Sequence, residues 1–211
     1  MRNRPRWVIV EASTTGSHPS ATGPVTSEGA VPMSTATLTG LTAGTWTIDP
    51  THTEVGFVAR HLMVSKVRGS FTEVSGTVVV GETLADSSAE VVVKTASVAT
   101  GTADRDAHLT SGDFFDSEAH PDMTFRSTSF DGETLVGDLT IKGVTKPVTL
   151  DVEFGGVATD PWGNEKAAFE ASGELDRTQW GLTWNANLEK GGVLVSEKIK
   201  LVIDVQLAKQ A

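Results

Sequence analysis

The sequence predicts an all-β protein of about eight antiparallel strands, closed as a barrel or stacked as a sandwich, with one short helical insertion. Three observations carry that prediction. Apolar and polar residues alternate with period two through most of the chain beyond Thr45. Turn residues interrupt the alternation at short intervals. Only the stretch TADRDAHLTSGDFFDSEAHP, Thr102 to Pro121, reads as neither strand nor turn.

Residues 1–43 are rich in Ser, Thr, Gly, Ala and Pro and have no apolar period. Such a segment buries too little surface to offset its ordering entropy, so it reads as a disordered tail. Met33 offers a second start. Residues 44–211 then form the folded domain. Trp46-Thr47-Ile48 leads into the turn Asp49-Pro50-Thr51-His52. Thr53 to Leu62 sets Val55, Phe57, Ala59 and His61 on one face. Val67 to Val80 reads as one long strand with bends at Gly69 and Gly76. Ala89 to Ser97 follows, with Val91-Val92-Val93 buried on both sides.

In the insertion, Thr102 is placed to cap a helix with its side-chain oxygen, and Asp104 sits in the first turn, where the helix dipole favours it. Asp104 and His108 share a face, as do Arg105 and Leu109. Gly112 ends the turn. Phe114 and Phe115 need an apolar place, which suits a plug on a barrel. The charged cluster Asp104, Arg105, Asp106, His108 and Asp113 reads either as a head-group or metal site or as a capped helix whose charges pair locally.

Beyond Pro121, Met123 to Phe130 is a strand and Asp131-Gly132 a hairpin turn. Leu135, Gly137, Leu139 and Ile141 share a face, and Lys142-Gly143 turns the chain. Pro147 belongs at a strand start or bulge, because it cannot donate to a ladder. Val148 to Phe154 is a strand, 155–166 a loop, and Phe169, Ala171, Gly173 and Leu175 mark another face. Arg177 to Trp184 is irregular. Ile199, Leu201, Ile203, Val205 and Leu207 alternate with polar residues in the clearest half-buried strand.

Composition bounds the chemistry. There is no cysteine, which removes disulfides, thiolate metal sites and cysteine nucleophiles. A formal net charge of −10 repels phosphate backbones and disfavours nucleic acid and anionic membranes. No apolar run reaches the roughly 20 residues a spanning helix needs. Trp7 to Val10 is shorter than a signal peptide requires, so the expected location is cytoplasmic. If the barrel is hollow, walls such as Phe57, Phe125, Leu139 and Ile141 make the space greasy, with room left by Gly and Ala on the inner faces. An apolar ligand gains about 25 cal/mol per Å² buried there.

Several stretches together resemble the YceI-like family of bacterial proteins. They are WTIDPTHTEVGFVARHLMVSKVRGSF (Trp46 to Phe71), RDAHLTSGDFFDSEAHPDMTF (Arg105 to Phe125), GDLTIKGVTKPVTLDV (Gly137 to Val152), ELDRTQWGL (Glu174 to Leu182) and GGVLVSEKIKL (Gly191 to Leu201). The match keeps order and spacing over 44–208. The resemblance implies a lipocalin-like antiparallel barrel with helical insertions. It also implies a polyprenyl chain, isoprenoid quinone or related amphiphile as ligand in an apolar lumen, without another cofactor. A link to stress responses and a homodimer are implied too. Many relatives are periplasmic and carry a signal peptide, which this sequence lacks by the reading above.

The candidate ligand-binding residues at the lumen or its mouth are Phe57, Ala59, His61, Phe71, His108, Phe114, Phe115, Phe125, Leu139, Ile141, Trp180 and Trp184. Each also reads as an ordinary core residue, and Trp180 and Trp184 have the spacing to stack on each other. A metal alternative gathers His52, His61, His108 or His120 with a carboxylate, although no HxH or HExxH occurs. An enzyme alternative makes His108 and Asp104 an acid/base pair acting on an isoprenoid-like substrate. No GxSxG elbow, P-loop or GxGxxG supports it, and the expectation is a non-catalytic carrier.

Overall fold

The structure is a computed structural model that describes residues 38–188 and 192–211. The predicted tail therefore lies largely outside the described residues, as does the start of the Gly191 to Leu201 motif. The strands are β1 Gly44–Ile48, β2 Glu54–His61, β3 Ser65–Phe71, β4 Val74–Val80, β5 Ser88–Lys94, β6 Val98–Ala99, β7 Asp122–Phe130, β8 Thr134–Ile141, β9 Val144–Thr159, β10 Glu165–Asp176 and β11 Lys198–Lys209. One α-helix, α1 Ala103–Thr110, lies between β6 and β7.

Eight strands close a ring in the order β1, β4, β5, β7, β8, β9, β10, β11, because β1 pairs with both β4 and β11. All the pairings are antiparallel. Closure removes the exposed sheet edges that an open sheet would present. Strand β1 uses only the C-terminal part of β11, Leu207 to Lys209. Further back, Lys200 to Asp204 pair with β2, and β3 and β6 continue from it. The barrel is thus extended at one end by β2, β3 and β6, and it is over this end that the helical insertion sits.

Local chemistry sets the corners. Asp131 accepts the backbone N–H of Glu133 at 3.0 Å and of Thr134 at 2.7 Å, which fixes the β7–β8 turn. Lys142 and Gly143 both have positive φ, 49° and 75°, the geometry of the tight turn whose twist matches the flanking strands. Phe57 lies directly opposite Gly69. A Cβ on Gly69 would stand 2.5 Å from the Phe57 ring, so the glycine makes room for the aromatic.

Five readings of the sequence are corrected. Val67 to Val80 is two strands broken at Thr72-Glu73, where the backbone N–H groups of Thr72 and Glu73 both donate to Ser97. Strand β9 runs on to Thr159, through a bulge at Gly155 that shifts its register on β10. Pro147 lies inside β9 rather than at its start; β10 pairs with β9 only from Asp151 onwards, so the missing donor faces no partner strand. Thr102 stands at the helix N-cap without capping the backbone, because its hydroxyl accepts from Arg105 Nη2 at 3.0 Å. The helix ends at Ser111, not Gly112, through the Ser111 N–H to the His108 carbonyl.

Candidate functional site

The period-two faces converge on the axis of the ring without filling it. They enclose a cavity of about 310 Å³, at the lower end of the range usual for small-molecule sites. Every ring strand except the short β1 contributes at least two side chains to the wall, and β1 contributes Ile48. Strand β11 supplies Ile199, Leu201, Ile203, Val205 and Leu207, the five residues whose alternation was clearest. The wall is hydrocarbon apart from Thr53, Ser87, Ser88, Thr124, Ser127 and Arg177.

Eight of the twelve sequence candidates line this bore: Phe57, Ala59, Phe71, Phe114, Phe115, Phe125, Leu139 and Ile141. Phe57, Phe71 and Phe115 form a chain of rings, with centroids 5.9 and 5.5 Å apart. Phe114 is buried and Phe115 half-buried, so the two adjacent aromatics of the insertion both reach the lumen. They close one end, and Leu109 of α1 joins them.

Four candidates stand outside the lining. His61 ends β2, beyond the bore, where its backbone bridges Val195. Trp180 is 2% exposed but turns its indole N–H to the Leu139 carbonyl at 3.0 Å. A buried indole needs such an acceptor, and the bond holds it behind the wall. His108 and Trp184 form a layer behind Phe114. Their rings meet edge-on at 4.6 Å, and each also packs on Phe114. Trp184 therefore stacks on the insertion rather than on Trp180.

Four members of the charged cluster of the insertion, Arg105, Asp106, His108 and Asp113, make local contacts. Asp106 accepts from the backbone N–H of Thr100 at 2.9 Å and from its hydroxyl, which fastens the helix start. Arg105 grips the Thr100 hydroxyl and carbonyl at 2.7 and 2.9 Å. The partner of His108 is Asp113, at 2.9 Å, and not Asp104; the pair is solvent-facing, 37% and 53% exposed. The acid/base pairing expected of His108 and Asp104 is thereby corrected. His52 lies on the surface beside Asp49, and His120 uses its carbonyl to accept from Thr95. No three His, Cys, Asp or Glu gather as metal ligands among the described residues.

Two features of the site were missed by sequence reasoning. Leu38 and Leu41, assigned to the tail, line the bore; two leucines in a short turn give no period to read. Arg177 also lines it, 4% exposed, with its guanidinium 5.7 Å from the Phe114 ring centroid. Its Nε donates to the Ser196 carbonyl at 3.0 Å and its Nη1 to the Leu182 carbonyl. Burial pushes the guanidinium below its ordinary pKa, and the charges of Glu197 and Asp176 pull the other way.

Comparison with known proteins agrees with this geometry. The model of a family described as a YceI-like domain matches residues 46–207. A UPF0312 protein of Staphylococcus epidermidis is 38% identical over 157 residues, covering 72% of this chain and 90% of the relative. A UPF0312 protein of Staphylococcus aureus is 38% identical over 160 residues, covering 74% and 92%. Among solved structures, the Campylobacter jejuni YCEI protein is 34% identical with a TM-score of 0.61, covering 72% of this chain and 90% of that one. A domain from Saccharophagus degradans, described as polyisoprenoid binding, has a TM-score of 0.60 at 14% identity, covering 78% and 98%. At that identity the likeness speaks to the fold alone.

Proposed function

The chain belongs to the YceI-like family, and from that premise we propose that its barrel binds the hydrocarbon chain of an isoprenoid amphiphile, such as a polyprenyl compound or an isoprenoid quinone, for carriage or storage. The observation that carries the reading is the bore of about 310 Å³, walled by side chains of which nearly all are apolar. A close-packed interior has few voids larger than a water molecule, and an empty hydrocarbon space forfeits the contacts that would stabilise it. A prenyl chain restores those contacts, and each 100 Å² of apolar ligand surface it buries contributes roughly 2.5 kcal/mol.

Two further points support it. The period-two inner faces carry phenylalanines at intervals along the wall, flat surfaces suited to a jointed chain. The description of the Saccharophagus degradans domain as polyisoprenoid binding attaches to a protein of the same fold. Asp106, Arg105, His108 and Asp113 of the insertion are taken up by local contacts, so they take no part in this reading. Mass spectrometry of an organic extract of the recombinant protein tests it. The expected result is a prenyl lipid recovered in stoichiometric amount. Clean extracts from independent preparations, together with no uptake of added prenyl lipid, would overturn it.

A further inference from the structure

Arg177 is the point at which the interior breaks its own rule. Among the described residues that line the bore it alone carries a charge, and it is 96% removed from solvent by the 4% exposure it retains. Its placement is held from several sides. Nε is taken by Ser196, Nη1 by Leu182, and the backbone N–H by the Glu197 carbonyl at 3.0 Å. Nη2 is buried and has no hydrogen-bond partner. None of the ion pairs among the described residues includes it.

This is a costly arrangement. A buried donor without an acceptor is destabilising, and more so when charged. A buried charge with no carboxylate in direct contact is costlier still, and Glu197 and Asp176 offset it only through space. The fold could have supplied a carboxylate here, as it does for other cations. It supplies two carbonyls and an aromatic ring instead, and leaves one buried arm of the guanidinium unsatisfied on a residue that lines an apolar space.

We propose that Arg177 recognises the head group of the lumen ligand, and that this head is a single carboxylate at the end of a prenyl chain. The inference rests on the reading of the bore as a lipid site. A carboxylate offers acceptor oxygens to Nη2 and one negative charge to one positive charge. A diphosphate brings more negative charge than one guanidinium offsets, and no other cation lines the bore among the described residues. A hydroxyl or neutral carbonyl satisfies the hydrogen bond but brings no carboxylate into contact with the guanidinium.

The test uses the full chain, stripped of lipid, and three probes of one chain length: geranylgeranoic acid, its methyl ester and geranylgeraniol. Wild type binds the acid tighter than either neutral probe by about tenfold or more. Arg177→Met reduces that preference to about twofold or less, and Arg177→Lys keeps part of it. A second measurement needs no variant: the Arg177 Nε–H NMR resonance of the wild type shifts when the acid binds and not when the ester binds. If none of the three probes binds, the lumen reading itself fails. If all bind alike, or if Arg177→Met keeps the preference for the acid, the carboxylate assignment is overturned while the lumen reading stands. Should Arg177→Met fail to fold, the wild-type ratio of acid to ester and the resonance decide between those outcomes.

Discussion

Strand β10 is bracketed by two cations that the fold treats in opposite ways. Lys166 lies near its start, half-buried on the outside of the barrel, with the Asp49 carboxylate 2.9 Å away. Arg177 follows its last residue, buried at the bore, with carbonyls for partners and one nitrogen unpaired. The first end closes its own electrostatics. The Asp49 carboxyl is held far below the ordinary carboxylate range by the Thr51 hydroxyl first and by Lys166 next. The second end leaves one guanidinium nitrogen without a partner, on a residue that lines the cavity. The difference separates a joint made for stability from one made for a ligand.

Close to Arg177 in the chain, Trp180 backs the wall, nearly fully buried and bonded to Leu139. Trp180→Ala removes that backing and costs about 3–5 kcal/mol of stability, measured by denaturant unfolding. A loss below 1 kcal/mol would mean that this end is loosely packed and that Arg177 is not held in place.

The opposite end breaks more gently. Asp49→Asn leaves Lys166 without its counter-charge and costs about 1–2 kcal/mol at neutral pH. In Lys166→Met the same Asp49→Asn change costs less, and the double-mutant cycle reads the coupling. The pH dependence has a definite sign. A depressed carboxyl pKa contributes stability that is fully present above the unfolded value, near 3.8, and is lost as pH falls through the lower folded value. The gap between wild type and Asp49→Asn therefore stays constant from neutral pH down to about pH 5 and narrows only in stronger acid. A gap that widened in acid would contradict the pairing.

The smallest effect belongs to the pair His108 and Asp113. Both are substantially exposed, so Asp113→Ala changes stability by at most about 1 kcal/mol. It leaves prenyl-lipid uptake unchanged, as expected if the polar surface of the insertion does not touch the ligand. A large loss of uptake would restore the insertion to the site.

The sequence revealed the wall better than the ends. Period two is a direct image of a pleated strand with one buried face, and Ile199 to Leu207 all point where the alternation put them. The paired glycine and aromatic at Gly69 and Phe57 were visible only separately, because cross-strand register is a tertiary fact. Arg177 gives no such signal, since a charged residue beside Asp176 reads as surface until a 3-10 turn, Arg177–Trp180, folds it inward. His61, His108, Trp180 and Trp184 read from residue type as lumen or mouth residues, and none of them lines the bore. Type does not say whether a ring forms the wall or backs it, and each of these found partners of its own.

The central claim is that the bore is occupied by a long apolar chain, and a substitution that fills it tests this most directly. Ala171 lies midway along β10, lines the bore, and faces Val152 and Ile203 on the adjacent strands. The measurement is uptake of a fluorescent prenyl lipid by wild type and by Ala171→Trp, with folding of both checked by circular dichroism. The account predicts that the folded variant loses uptake by at least about tenfold, because an indole occupies the volume the chain needs. A folded Ala171→Trp that takes up the lipid as well as wild type would contradict it.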